Sequence, residues 1–415
     1  MTSTMGGVRP GALAVVALVC ALLGGGSALL IAEATGWNDA ATVTQVADEL
    51  PSDAVAVDQT GTDAARPVAG NGFDPAKLYR ARAAGVVTII ALFGEQGGTG
   101  LGGSAQGSGF VVSPKGYVLT NAHVITTAGE GGAGAASEPA SEVYIAFRDG
   151  DRVAAKIIGW DLYDDVGLVK VDPKDHPLSP VPLGDSSQVV VGEPVAAIGS
   201  PFGNETSLSV GVVSATERSI ESLTSQYNLV DAIQTDAPIN RGNSGGPLFD
   251  ARGRVIGLNA QIRSESGTAE GVGFAVPINA AKRSMEQLIA SGRVRYAWVG
   301  IETQTLTPRL ARRFGFTPER GAAVQRVVAD SPADDAGLRG GDKNGQFAGI
   351  SFRLGGDVIV AIDGAPIDSA EDVVRKITDL APGRPTTLTV FRGRERMEID
   401  VVLGARPANP SGSGR

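Results

Sequence analysis

Three short stretches carry the residue types needed for nucleophilic chemistry. Ser244 lies in "INRGNSGGPL" (239–248), His123 in "LTNAHV" and Asp165 in "DLYDDVGLVKV". A serine hydroxyl is a poor nucleophile at neutral pH and needs a base within hydrogen-bond reach to take its proton. An imidazole suits that task because its pKa lies near the working pH. A carboxylate then fixes the imidazole tautomer and stabilises the imidazolium. At the level of single residues each position has a rival reading. Ser244 reads also as a polar residue in a flexible glycine loop, and His123 as a satisfied core histidine. Asp161 and Asp164 compete with Asp165 for the acid, with Asp161 also fitting a turn. The other histidine, His176 in "KDHPL", has no motif around it and reads as a surface-loop residue.

Such residues need a rigid frame. "VVTIIALF" (86–93) is β-branched and apolar, and "FVVSPKGYVLTNAHVI" (110–125) reads as a hairpin around Ser113–Gly116. Between them runs a long glycine-rich loop, 94–109. Further short strands follow, among them "RVAAKIIGW", "VGLVKV", "PVAAIGSP", "SLSVGVVSA", "GRVIGLNAQI" and "GVGFAVPI". Short strands with closely spaced turn signals predict a mainly β sandwich or barrel. One helical stretch, 279–292, has Asn279 as its cap and Gly292 as its stop.

The ordered series "GSGFVVSPKGYVLTNAHV", "DVGLVKV", "AIGSPFG", "VGVVSA", "QTDAPINRGNSGGPL" and "GRVIGLNAQI…GVGFAVPI" resembles the trypsin-like HtrA/Deg serine proteases over about 84–290. The resemblance implies a chymotrypsin-like fold of two six-stranded β-barrels, with a His123–Asp165–Ser244 triad between them. Asp165 takes the acid position in it because it directly precedes "VGLVKV". The N–H groups of Gly242, Asn243 and Ser244 are the candidate oxyanion donors, with glycines letting the backbone approach substrate. The loop before the serine and the last strand of the second barrel form the family's specificity pocket. That assigns Ile239, Ile262 and Arg263 to it, without a carboxylate, and implies small or medium aliphatic residues before the scissile bond. Arg263 departs from the apolar residue common there. The resemblance also implies a homotrimer or higher oligomer, with Phe73 and Tyr79 as candidate interface residues.

"RYAWVGIETQTL", "GAAVQRVVADSPADDAGL", "GDVIVAIDGAPIDSAEDVVRKITDL" and "TTLTVFRGRERMEIDVVL" resemble a PDZ domain, an α+β module that takes peptide C-termini as an added strand. The carboxylate loop then falls at Trp298, Val299, Gly300 and Ile301. A facing helix capped by Ser369 with Asp372 offers Val373, Val374 and Ile377 as an apolar wall, with Arg375 and Lys376 toward solvent. Residues 339–355 depart from the pattern as an insertion.

The N-terminal run "GALAVVALVCALLGGGSALLIA" (11–32) is uncharged and long enough to cross a bilayer. Arg9 precedes it and Glu33 follows, which keeps the N-terminus inside. A retained single-pass anchor is favoured over a signal cleaved near Ala32–Ala34, and the rest is extracytoplasmic on either reading. The predicted organisation is a cytoplasmic 1–10, the anchor 11–32, a flexible acidic tether 33–75, a protease domain 76–292, a PDZ domain 293–405 and a disordered tail 406–415. A net charge of −9 argues against nucleic acid as a partner. One cysteine, Cys20, excludes an intrachain disulfide. With two histidines, no metal or other cofactor is expected. The functional expectation is a membrane-tethered serine endopeptidase acting on misfolded or exported proteins in envelope quality control. A catalytically idle PDZ scaffold or holdase is the alternative.

Overall fold

Alternation decides the architecture. In β1 (Val86–Leu92), Val87, Ile89 and Ala91 join one buried cluster while Val86 joins another. The same two-way split recurs in β2 (Ser104–Val111) at Phe110 and Val111, and in β3 (Tyr117–Thr120) at Leu119 and Val118. Successive side chains of a strand point to opposite faces, so each strand feeds two cores at once. With β4 (Glu142–Ala146), β5 (Arg152–Asp161) and β6 (Val166–Lys170), these strands close a barrel in the order β1-β2-β3-β6-β5-β4.

The second barrel is formed by β7 (Pro194–Gly199), β8 (Ser207–Glu221), β9 (Asn228–Thr235), β10 (Pro247–Asp250), β11 (Val255–Ile262) and β12 (Gly273–Pro277). They close in the order β10-β11-β12-β9-β8-β7. Its β7 sends Val195 and Ala197 into its own core, and Ala196 and Ile198 into the cluster that also holds Phe110, Leu119 and Leu168 of the first barrel. That shared cluster welds the barrels along a seam. The structure is a computed structural model and describes residues 72–94, 103–128, 137–200, 206–240, 242–262 and 272–407, with backbone alone for 261 and 262.

Two short helices flank the first strands, α1 (Pro75–Arg82) ahead of β1 and α2 (Ala122–Ile125) after β3. The helix α3 (Ile278–Ser291) follows the second barrel and stops at Gly292 in the left-handed region. Asn279 is not its cap. The helix begins one residue earlier, after Pro277, and Asn279 instead donates its backbone N–H to Ser186 Oγ (3.1 Å) and its side chain to Asp185 (2.6 Å). Tyr79 of α1 is satisfied within the chain, by Thr206 at 2.7–2.8 Å.

The C-terminal module is a sheet of β14 (Ile301–Leu306), β15 (Gly321–Val327), β18 (Val358–Ile362), β20 (Pro385–Arg392) and β21 (Glu395–Val402) in that order, with β19 (Ala365–Pro366) beside β18. A small ladder, β13 (Ala297–Trp298) with β22 (Gly404–Ala405), ties its ends together. Three helices complete it: α4 (Pro308–Phe314), α5 (Pro332–Asp335) and α6 (Ala370–Thr378). The inserted segment folds as a hairpin of β16 (Lys343–Phe347) and β17 (Ile350–Leu354). No helix among the described residues is long and apolar enough to cross a membrane. The candidate anchor 11–32 and nearly all of the tether lie outside the described residues, as do 408–415. Arg406, assigned to the tail by sequence, is fixed. Its N–H bonds Tyr296 O (2.9 Å), and its guanidinium stacks over Tyr163, Tyr227 and Tyr296.

Candidate active site

His123 and Asp165 are brought together at the seam. His123 sits in α2, directly after β3, and its Nδ1 lies 2.7 Å from Asp165 Oδ2. Asp165 Oδ1 also accepts the His123 backbone N–H at 3.1 Å. This doubly tied carboxylate favours a proton on Nδ1, which leaves Nε2 free to act as a base. Burial, the largest influence, pushes the His123 pKa down. The Asp165 charge and hydrogen bond together outweigh it, and the net shift is upward.

Asp165 itself occupies the left-handed region (φ 51°), an unfavourable place for a non-glycine residue. Asn121 Nδ2 holds its carbonyl at 2.8 Å, and β6 starts at the next residue. The carboxylate is thereby aimed back at His123 rather than along the strand. A residue held in a sparsely populated conformation costs about 1–3 kcal/mol and persists only when its surroundings fix it.

Ser244 comes from the other barrel, in the turn before β10. Ser108 of β2 bolts that turn to the first barrel: its N–H bonds Ser244 O (2.8 Å) and its hydroxyl bonds Gly242 O (2.5 Å). Gly245 is required here, since its φ is 84° and a Cβ would sit 2.1 Å from Ser108 O. Ser244 and His123 line the same cleft of about 330 Å³. They do not share a hydrogen bond. The Ser244 hydroxyl donates to Ala260 O at 3.1 Å instead.

The three candidate oxyanion donors separate. Asn243 N–H is committed to Asn240 O (3.0 Å). The N–H groups of Gly242 and Ser244 have no partner among the described residues. Ile239 is buried and lines the cleft with Val124, Leu223 and Ala260. The Ile262 side chain and the whole of Arg263 lie outside the described residues.

Sequence reasoning missed a buried network beside the site. Asp161 is a turn residue, its Oδ1 accepting Tyr163 N–H (2.9 Å), and it is also part of this network. Its Oδ2 accepts from Ser284 Oγ (2.7 Å) and from Tyr296 OH, and Tyr296 OH also bonds Asp164 Oδ2 (2.7 Å). Burial, with the charge of Asp164 added, pushes the Asp161 carboxyl up to about 6. Arg283 of α3 pairs with Asp164 and with Asp379 after α6. His176 is largely covered, stacked on Phe147 (3.7 Å between ring centres) and bonded to Asp149 at 2.9 Å.

The second site is the groove between β14 and α6, a cavity of about 420 Å³. Trp298, Val299, Gly300 and Ile301 form one wall, and Val373, Val374 and Ile377 the other. Gly300 has φ 88°, and a Cβ there would meet Ser331 Cβ at 2.2 Å. The carbonyls of Val299 and Gly300 are taken by Ala333 N–H and Val328 N–H, both at 2.8 Å. The N–H groups of Val299 and Gly300 have no partner among the described residues. Val373 and Ile377 also belong to the module's core. Arg375 does not point to solvent. It crosses to Asp231 (2.7 Å) and Glu217 (3.2 Å) of the second barrel.

Residues 107–258 match the trypsin-like peptidase domain family and residues 298–403 the PDZ domain family. Among curated proteins, a probable periplasmic serine endoprotease DegP-like of Brucella suis is 38% identical over 311 residues, 75% of this chain and 54% of its own length. The protein of the same description from Hahella chejuensis is 40% identical over 308 residues, 74% of this chain and 59% of its own length. The chain thus spans a little over half the length of these relatives. Among solved structures, the HtrA-type protease AlgW with a tripeptide has a TM-score of 0.65 at 32% identity, covering 80% of this chain and 98% of that one. AlgW with a decapeptide gives 0.62 at 30%, covering 80% and 99%.

Proposed function

We propose that this chain, which belongs to the HtrA/Deg family of trypsin-like proteases with a C-terminal PDZ domain, is a serine endopeptidase that cleaves misfolded or exported proteins outside the cytoplasm. The observation that carries the reading is the 2.7 Å contact of His123 Nδ1 with Asp165 beside Ser244 in one cleft. In the reaction the Ser244 hydroxyl leaves Ala260 O and turns to His123 Nε2. The imidazole accepts its proton as Oγ attacks the peptide carbonyl carbon. Asp165 stabilises the resulting imidazolium. Gly242 and Ser244 N–H receive the oxyanion; each such donor typically lowers the barrier by about 3–4 kcal/mol. His123 then gives the proton to the departing amine, and water repeats the sequence on the acyl-enzyme. The cleft's apolar wall at Ile239, and the lack of a carboxylate among the described residues that line it, favour small or medium aliphatic residues before the scissile bond.

The catalytic unit on this reading is 76–292 and the peptide-binding unit 293–405. The PDZ groove takes free C-termini with apolar final residues, through the N–H groups of Val299 and Gly300. The chain is placed as a single-pass membrane protein by 11–32 and acts as a homotrimer or larger assembly. Retention in the membrane fraction through a carbonate wash tests the anchor. A mature N-terminus near Thr35 would replace it with a cleaved signal.

The decisive experiment is Ser244→Ala assayed on casein at equal protein concentration. Cleavage is expected to vanish with fold and peptide binding intact. Near-wild-type cleavage would remove Ser244 from the chemistry. A wild type that binds casein without cutting it would favour the idle scaffold.

A further inference from the structure

The groove beside β14 continues past the N-terminus of α6. One edge of β14 pairs with β15, and among the described residues no strand pairs with the other. Further along that edge lies a second cavity of about 510 Å³. It shares Thr303, Ala370 and Glu371 with the groove, so the two adjoin along one track, meeting where Thr305 Oγ accepts Ala370 N–H (3.0 Å) and donates to Glu371 (3.1 Å). At the far end it is lined by Leu310, Arg309, Phe347 and Ile350. Phe347 and Ile350 belong to the tip of the inserted β16–β17 hairpin.

The hairpin is anchored and its tip is offered. Midway along it Phe352 is 2% exposed and packs against the rings of Phe314 and Phe316, with Leu354 at the root and Phe347 near the tip in the same cluster. At the tip Ala348 (φ 50°) and Gly349 (φ 80°) are both left-handed, as a tight two-residue hairpin turn requires. Ile350, the next residue, is 46% exposed. A large aliphatic side chain on a fixed hairpin, facing the extension of a groove, is placed to receive an apolar partner.

We propose that the hairpin tip is an upstream subsite, reading an apolar side chain about five to seven residues before the free C-terminus of an extended peptide. The proposal rests on the PDZ groove taking peptide C-termini as an added strand. With the terminal carboxylate at Val299–Gly300, an antiparallel ligand runs along Ile301–Leu306. Each of its residues advances about 3.3 Å, so roughly six residues bring it to Arg309 and the hairpin tip. Arg309 and Glu371, of opposite sign, both line the track, so net charge discriminates little. Leu310, Phe347 and Ile350 select for apolar surface. The ligand class is therefore a peptide end at least about seven residues long, with apolar residues at its terminus and again near the sixth position back.

Fluorescence anisotropy on the full chain tests this with three peptides ending in the same Val. One is a tetrapeptide, made both as the free acid and as the C-terminal amide, and two are decapeptides with Leu or Asp at the sixth residue from the end. The Leu decapeptide is expected to bind about tenfold more tightly than the Asp one, as burial of one aliphatic side chain allows. Ile350→Asp should erase that difference, Ile350→Leu should keep it, and neither should alter tetrapeptide affinity. Equal binding of the Leu and Asp decapeptides, with the tetrapeptide still preferring free acid over C-terminal amide, overturns the subsite alone. Equal binding of tetrapeptide acid and amide overturns the groove reading, and the subsite with it.

Discussion

The cleft at Ser244 draws its groups from residues 123, 165 and 244, carried by two barrels that meet at a seam. The groove at β14 draws mainly on one strand edge, the loop before it and one helix of the C-terminal module, with Ser219, Tyr227, Asn228 and Val230 of the second barrel completing its lining. The first places side chains, and each is held by a specific tie: Asn121 to the Asp165 carbonyl, Ser108 to the Ser244 turn. The second offers backbone N–H groups and an apolar wall, which any extended chain can use. Single-atom changes should therefore ruin the cleft, while the groove should respond by degrees.

After loss of the nucleophile itself, the largest expected effect is at Asp165. Asp165→Asn keeps the shape but favours the wrong imidazole tautomer, and the corresponding change in the best-studied triad lowers kcat about 10⁴-fold. Casein cleavage should fall by a similar order while affinity for a C-terminal peptide holds. Asp164→Asn should do far less, because that carboxylate faces Tyr296 and Arg283 rather than His123. If Asp164→Asn were the more damaging of the two, the acid would have to be reassigned.

That pair of carboxylates marks where the sequence stops being informative. β-branched apolar runs such as "VVTIIALF" and closely spaced turn signals are written into neighbouring residues, so strands and a mainly β class could be read directly. Motif order directed attention to His123, Asp165 and Ser244. The direction of the Ser244 hydroxyl could not be read, since it depends on a carbonyl sixteen residues away in β11. Asp161 could be read as a turn residue, which it is, but its second role could not, because Ser284 and Tyr296 lie 123 and 135 positions on. Arg375 looked solvent-facing because a helical face, taken alone, does not include the barrel packed against it. Local periodicity reaches only neighbours, and these contacts are all long-range.

The buried network gives the next, smaller effect. The Asp161 carboxyl is raised to about 6 in the folded chain, chiefly by burial. A raised carboxyl pKa means that the folded state favours the protonated form. The stability this contributes is complete below the ordinary carboxylate value of about 4 and is lost as pH rises through about 6. Asp161→Asn cannot lose its neutral form. Its Tm should therefore rise relative to wild type between pH 4 and pH 7, corresponding to at most about 3 kcal/mol. Parallel Tm curves over that window would show that Asp161 does not titrate there. The change lies behind the cleft and outside the groove, and separates support of the seam from chemistry at it.

The smallest effect is on the groove's helix, and it sharpens the contrast by being graded. The α6 helix opens with a reciprocal cap: Ser369 Oγ accepts Asp372 N–H (3.1 Å), and Asp372 Oδ2 accepts Ser369 N–H (2.9 Å). Removing such a cap costs about 1 kcal/mol. Ser369→Ala should not unfold the helix, because Arg375 still pins it to Asp231 and Glu217, and Val373 and Ile377 remain in the core. The loss should be confined to the first turn. Amide hydrogen exchange at Asp372 and Val373 should quicken by about fivefold, the factor that 1 kcal/mol gives, while exchange at Ile377 stays as it was. Uniform quickening along α6 would mean that the helix is held by its cap rather than by packing and the Arg375 bridge. In that case the groove would be as all-or-none as the cleft.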